Sequence, residues 1–472
     1  MRHIKLTALL TAAALLGAGA VGAAPALASH GETVFFEAPN ALLTAATRKP
    51  TIKQLQSLGV HALRVIVYWR DVAPNPNHKQ RPNFNQANPA AYHWGAYDPL
   101  IAAAAALHWK ILLTVSGPVP RWATPHGEDI YSNPNATDFG RFMQAVGKHY
   151  GRQVKLYSIW NEPNEPGFLR PQYTHGKLAS AAIYRGLFLA GYNGLKASGN
   201  FSGMTVLMGE TSPTGVTSQG VPAPLAFLRG VLCLNASYRP VGHCGLLPAD
   251  GYAQHPYSNS RGPFWIPPPD DVTVATIGRL VTALNRAAAV HAIRRGLPVY
   301  ITEFGVESVP NPFGGVSLAR QAEYLAISEH IAWENPRVAA FGQYLLRDDH
   351  PVGGHVAGFQ TGLETYKGVS KPAYDGFRLP LTVTRSSTAG VSLWGLVRPA
   401  RGATRVVVQY SADGGRSWHG LADERTASDG AWAASGRFVT GRLWRVRWTS
   451  PAGQNFTGAP TRAYTVTGAL ES

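Results

Sequence analysis

Only two of the 472 residues are cysteine, Cys233 and Cys244. A thiolate metal centre has too few ligands here, and no paired histidine spacing supplies others. In an oxidising compartment, two thiols this close in sequence are expected to form a disulfide. Charged residues are scarce too, at 15% against 45% hydrophobic ones, which excludes a disordered polyelectrolyte and points to a globular chain with a large core. Beyond the N-terminal segment no run of about 18 apolar residues occurs, so no interior membrane span is expected. The formal net charge is +16, yet the Arg and Lys residues are scattered rather than massed in a basic run. No nucleic-acid motif accompanies them, so the sequence implies no nucleic-acid partner.

The N-terminus has the layout of an export signal. Arg2 and Lys5 precede an apolar stretch over 6–21, and Ala26-Leu27-Ala28 fits the small-residue cleavage rule. Residues 1–28 are therefore expected to be removed from a secreted protein. Between His30 and about Phe377, short apolar segments alternate with longer helical patterns, the rhythm of a parallel sheet covered by helices. Strands are expected at 34–37, 62–68, 110–115, 154–160, 205–209, 251–255, 299–302 and 339–345, with helices at 98–107, 136–150, 178–197, 273–295 and 317–334. Eight strands in this span predict an α/β fold, a (β/α)8 TIM barrel over 29–379. A doubly wound open sheet is the competing fold, but no Gly-rich phosphate turn follows the first strand.

After about Pro380 the helical periodicity stops. Extended segments are expected at 391–397, 405–410, 441–449 and 464–466, and Asp413-Gly414-Gly415 is a hairpin-turn signal. Trp444, Val446 and Trp448 alternate with Arg445 and Arg447, giving one apolar and one charged face. Residues 380–472 therefore predict a small β-sandwich, immunoglobulin- or fibronectin-like, that supports the barrel or binds carbohydrate.

Barrels of this kind carry their active sites at the carboxyl ends of the strands. Two such ends carry acids: Trp160-Asn161-Glu162-Pro163 after the fourth strand and Thr302-Glu303-Phe304-Gly305 after the seventh. A carboxylate just past an apolar strand is costly to desolvate unless paired or used. Two of them suit the paired-carboxylate chemistry of glycosidases. An arginine inside an apolar strand, Arg64, requires a carboxylate partner. Trp69 and Trp122 follow the second and third strands, where aromatic faces could meet a pyranose ring. Glu210 and Glu307 are further acids near strand ends. Asp348, Asp349, His350 and His355 fall in a Gly-rich loop with no metal-ligand spacing, expected to lie in solvent over the cleft.

Taken together, the two acidic motifs resemble the clan of retaining (β/α)8 glycoside hydrolases that contains families 5 and 39. The likeness covers about residues 32–378. Trp94-Gly95-Ala96-Tyr97-Asp98 and the spacing of Trp160-Asn161-Glu162-Pro163-Asn164-Glu165-Pro166 incline it towards family 39. The resemblance implies Glu162 as acid/base, Glu303 as nucleophile, Asn161 on the sugar 2-hydroxyl and Arg64 beside the nucleophile. It also implies that His255 and Tyr257 lie near the nucleophile, and that no cofactor is needed. Gln343 and Tyr344 stand on strand eight where the clan often has tryptophan; Gln343 is a further candidate sugar contact. The expected partner is a poly- or oligosaccharide. A transglycosylase remodelling a wall glycan, or a non-catalytic glycan-binding protein on a degenerate barrel, are the alternatives.

Overall fold

The computed structural model describes residues 31–312, 314–350 and 358–465. The expected export signal, His355 and Val466 lie outside them. Eight strands close into a barrel: β1 (Thr33–Glu37), β2 (Ala62–Tyr68), β3 (Lys110–Ser116), β4 (Leu156–Ile159), β5 (Thr205–Thr211), β6 (Gly251–Gln254), β7 (Val299–Ile301) and β8 (Val338–Tyr344). Each pairs in parallel with its chain neighbours, and β8 returns to β1 with Phe35 opposite Gly342. Helices intervene as α1 (Ala45–Ser57), α2 (Asp98–Ala106), α3 (Ala136–Tyr150), α4 (Ala179–Lys196), α5 (Pro224–Val231), α6 (Ile277–Ala289), α7 (Leu318–Trp333) and α8 (Pro372–Arg378).

The period of two along a strand decides what fills the barrel. Phe35, Ala62, Leu112, Leu207, Ala253 and Ala340 form one buried interior cluster, with Leu156 and Tyr300 against it, so each strand gives one side chain to this apolar layer. Two residues further along, the same inward rows reach Glu37, Arg64, Thr114 and His255. A dry plug is thus capped by a polar layer at the carboxyl ends.

Helix boundaries follow local chemistry. Asn135 starts α3 by accepting from the Asp138 N–H, and Phe139, Phe142, Met143, Val146 and Tyr150 form its buried stripe. The expected helix over 273–295 is shorter: a 3-10 turn, Val274–Thr276, leads into α6, and the left-handed His291 (φ 60°) follows its end. Cys233, just past α5, is joined to Cys244, with their Cα atoms 6.1 Å apart.

Beyond α8 lie β9 (Leu381–Arg385), β10 (Gly390–Leu396), β11 (Arg405–Ser411), β12 (His419–Arg425), β13 (Ala431–Arg437), β14 (Leu443–Thr449), β15 (Asn455–Thr457) and β16 (Thr461–Tyr464). One sheet runs β16–β9–β10–β13, the other β12–β11–β14–β16 with β15 on β14, so β16 joins the two. Val383, Leu393, Val408, Trp444, Val446 and Trp448 fill the space between them, as a sandwich requires. Asp413 accepts the N–H groups of Arg416 and Ser417 in the hairpin turn between β11 and β12, where Gly414 and Gly415 supply positive φ. The last strand begins earlier than expected, at Thr461. Strands β9, β12, β13 and β15 were not anticipated because polar and small residues such as Thr382, Gly420, Ala433 and Asn455 mask their alternation.

Candidate active site

All eight strands contribute to one polar cluster. Arg64, wholly buried on β2, is its hub. Its Nη1 donates to Glu37 at the end of β1 and, at 2.9 Å, to Glu303 just past β7. Its Nη2 donates to Asn161 Oδ1 at 2.6 Å and to Glu210 of β5 at 2.8 Å. From β3, the Thr114 hydroxyl donates to Glu210 at 2.9 Å and Ser116 Oγ accepts the Asn161 N–H at 3.1 Å. Tyr257 donates to Glu303 Oε1 at 2.6 Å. His255, following β6, sets its Nδ1 2.9 Å from Glu162 Oε1 and 3.7 Å from Glu303 Oε2. Tyr344 at the end of β8 completes the wall.

The backbone turns sharply to make this possible. Trp160 and Glu162 have φ of 73° and 40°, and Glu210 has 49°, a region side-chain-bearing residues enter at a cost of about 1–3 kcal/mol. A hydrogen bond from the Glu162 N–H to the Glu210 carbonyl, 2.9 Å, holds the chain there. Gly342 matters for a different reason: a Cβ on it would collide with the Thr302 carbonyl, so only glycine lets β8 approach the strand end that carries Glu303.

One buried cation among several carboxylates sets the electrostatics. Burial pushes the Glu162 carboxyl up to about 7, with the Arg64 charge opposing and the Glu210 charge adding to the rise. Burial likewise raises Glu37, against the pull of Arg64. It lowers His255, a fall that the Glu303 charge partly offsets, so the imidazole is neutral near pH 7. Burial and then the Glu303 charge hold the Tyr257 phenol well above its usual value, keeping its proton available to donate.

The cluster opens into a cavity of about 370 Å³ whose wall includes Glu37, Asn161, Glu162, Tyr257, Glu303 and Tyr344. Leu42, Ile66, Phe168 and Phe359 make part of it apolar. His255 lies behind the two carboxylates. Three expected contacts are elsewhere. Trp69 is fully buried, stacked on Phe142 with ring centroids 5.3 Å apart, and its edge-on neighbour Trp122 donates to the Pro74 carbonyl at 3.2 Å. Trp69 is a core ring because the apolar stripe of α3 needs a partner, and Trp122 packs edge-on against Trp69 and Phe84. Gln343 is buried, and its amide donates to the carbonyls of Tyr344, Leu345 and Thr361. It secures the loop after β8, and the adjacent Tyr344 lines the cavity.

The expected exposed loop is also corrected in part. Asp348 is buried and ion-paired with Lys371 at 2.6 Å, while Asp349 accepts the Phe359 N–H at 2.9 Å. Glu307 borders the cavity and accepts from Asn311 and from the Gln360 N–H. Glu37, Tyr68 and Glu165 also line the cavity and were not singled out from the sequence. Glu37 ends an apolar strand as Glu303 follows one, so the same strand-end rule could have found it. Glu165 is raised to about 7, mainly by burial.

Three solved structures match across both parts of the chain. A monomeric β-xylosidase from Caulobacter crescentus CB15 aligns with a TM-score of 0.52 at 15% identity, over 90% of this chain and 96% of its own. A family 39 enzyme from Xanthomonas axonopodis pv. citri gives 0.51 at 15%, over 89% and 94%. A family 39 glycoside hydrolase from Bacteroides cellulosilyticus WH2 gives 0.51 at 15%, over 84% and 80%. The chain shares the fold of family 39 glycoside hydrolases. At these identities the likeness is one of fold. No protein-family model matches the sequence, and no curated protein matches it significantly. Within the family 39-like barrel, the polar cluster occupies the carboxyl ends of the strands, where such barrels hold their chemistry.

Proposed function

We propose that this protein is a secreted glycoside hydrolase that cleaves O-glycosidic bonds of a poly- or oligosaccharide with retention of configuration. Residues 1–28 would direct export, 29–379 form the catalytic barrel and 380–472 an accessory β-sandwich. The observation that carries the reading is the shared histidine. His255 Nδ1 at 2.9 and 3.7 Å from oxygens of Glu162 and Glu303 keeps those oxygens within about 6.6 Å, the sum of the two distances. A histidine shared at these distances suits the roughly 5–5.5 Å separation of a retaining pair better than the roughly 6.5–9.5 Å of an inverting one.

The environments differ as the two roles require. Glu162, raised to about 7, retains a proton to give. Glu303 receives Arg64 and Tyr257 as donors, which suits a carboxylate nucleophile. In the first step Glu303 bonds to the anomeric carbon as the C–O bond breaks and the Glu162 proton passes to the leaving oxygen. Water then attacks the glycosyl ester, gives its proton to Glu162 and frees Glu303. Asn161 spends its oxygen on Arg64, which leaves its amide N–H groups for the sugar 2-hydroxyl.

The test is turnover of an aryl-glycoside and polysaccharide panel, with the first-formed anomer followed by NMR. The expected product has the substrate's configuration. Glu303→Gln should fall to background. Glu162→Ala should lose about 100- to 10,000-fold on poor leaving groups, and azide should restore turnover of activated ones by trapping the glycosyl ester. Initial release of the inverted anomer, or full activity in Glu303→Gln, would overturn the proposal.

A further inference from the structure

Strand alternation in the C-terminal sandwich turns Val406, Val408, Trp444, Val446 and Trp448 inward. It leaves Arg405, Val407, Arg445 and Arg447 on the opposite face. Across that face Arg405 sits directly opposite Arg425 of β12, Val407 opposite Arg447 of β14, and Gln409 opposite Arg445. Four guanidinium groups from three adjacent strands therefore share one side of the sheet. Asp423, opposite Val407, is the one acid in those registers. Among the described residues none of the four arginines is in an ion pair. Arg405 and Arg425 are like charges set directly opposite each other, which costs stability in a sheet, while Arg445 donates to Gln409 Oε1 at 2.9 Å.

Other features of the face are specific. A shallow groove of about 520 Å³ runs between Thr404, Arg405, Val407, Arg447 and Thr449. Val407 is 40% exposed within it. Beside it the Arg445 guanidinium lies 4.0 Å from the centre of the Trp418 ring. Guanidinium forks pair with carboxylates in two-point contact, and apolar surface between them suits the faces of sugar rings. The cleft has the opposite character: Glu37, Glu162, Glu165, Glu303 and Glu307 line it, and Arg64 is the only cation lining it among the described residues.

We infer that the outer face of the β12–β11–β14 sheet binds an acidic polysaccharide, one carrying uronic-acid carboxylates, at a site separate from the cleft. Charge complementarity draws such a polymer to the sheet, whose guanidinium groups have no carboxylate partner among the described residues. The sandwich would then hold the protein on an anionic matrix while the barrel works on neutral sugar.

The experiment is affinity electrophoresis of the full chain through gels containing polygalacturonate, dextran or duplex DNA. Polygalacturonate should retard the protein, less so as salt rises, and dextran should not. Replacing Arg405, Arg425 and Arg447 together by Gln should weaken retardation by about tenfold or more. A control with the same charge change at exposed Lys49, Arg152 and Arg295 should stay within about twofold. Circular dichroism melts check that both variants fold, and turnover of a small aryl glycoside should be the same in all three proteins. Equal weakening in the control, no retardation by polygalacturonate, or DNA bound as tightly and lost in the same variant would overturn the inference.

Discussion

Arg64 divides its two terminal nitrogens among Glu37, Glu303, Glu210 and the Asn161 amide. One cation cannot neutralise that set together with Glu162, so burial keeps protons on Glu37 and Glu162. The pH dependence has a definite sign. In the proposed reaction Glu162 must arrive protonated, so kcat/KM should fall above about pH 7, approaching tenfold per pH unit. A pH–rate profile flat from 6 to 9 would contradict this. Stability moves the same way. A carboxyl raised from its usual 4.5 to about 7 binds more protons folded than unfolded, so its contribution is complete below about 4.5 and lost as pH rises through 7. Glu162→Gln should therefore gain on the native protein by about 2 kcal/mol between pH 5 and 8, measured by urea unfolding.

At the scale of elements, the barrel supplies positions and the connecting segments supply walls. Helix α3 gives its apolar stripe to Trp69, Tyr92, Trp94 and Trp160, which fastens the segments after β2 and β4 from below. The segment after β8 is held by charge. Lys371 donates to Asp348 and, at 2.9 Å, to the Ser308 hydroxyl, with both ion partners almost wholly buried. Arg347 pairs with Glu364 at 2.9 Å beside them. This clamp sets Tyr344 and Phe359 at the cavity, their rings edge to face with centroids 5.2 Å apart. Lys371→Met strands a buried carboxylate and should cost about 3–5 kcal/mol. Its kinetic signature should be a KM raised several-fold with a smaller change in kcat, because the clamp shapes the wall and touches no reacting atom. A kcat loss with KM unchanged would place Lys371 closer to the chemistry than the geometry does.

For the whole molecule, α7 is the shared element. On it Glu323 receives Arg462 through two contacts of 2.9 and 2.8 Å, and Glu329 receives Arg398 at 2.7 and 2.8 Å. His330 stacks on Trp394 with ring centroids 4.5 Å apart, and burial lowers it to about 4. The Arg398 guanidinium also lies 4.0 Å from the centre of the Phe377 ring, so its stem and charge are both used. Barrel and sandwich thus meet through a buried ion pair, Arg398–Glu329, which is costly to break from one side, and a half-buried one, Arg462–Glu323. Arg398→Met leaves the buried Glu329 carboxylate without its cation. It should destabilise by about 3–5 kcal/mol near neutral pH, and by less in acid where the carboxyls protonate. A loss under about 1 kcal/mol at pH 7 would mean that the interface does not depend on this pair.

The sequence by itself determined what depends on neighbours along the chain. Alternation marked the barrel strands and the inward tryptophans of β14. Two acids at strand ends, Glu162 and Glu303, stood out because an apolar run cannot tolerate them without a partner. The Asp413 turn was legible for the same local reason. Tertiary structure alone decided partnership. Glu37 meets Arg64 across 27 residues, and Glu303 meets it across 239, only because the sheet closes on itself. His255 bridges the two carboxylates for that reason too. Trp69, Trp122 and Gln343 carried sugar-binding chemistry, yet α3 claimed Trp69, Trp69 and Phe84 claimed Trp122, and the loop after β8 claimed Gln343. Side-chain periodicity tells which way a residue faces. What it faces is set by closure of the barrel and by the segments that close over it.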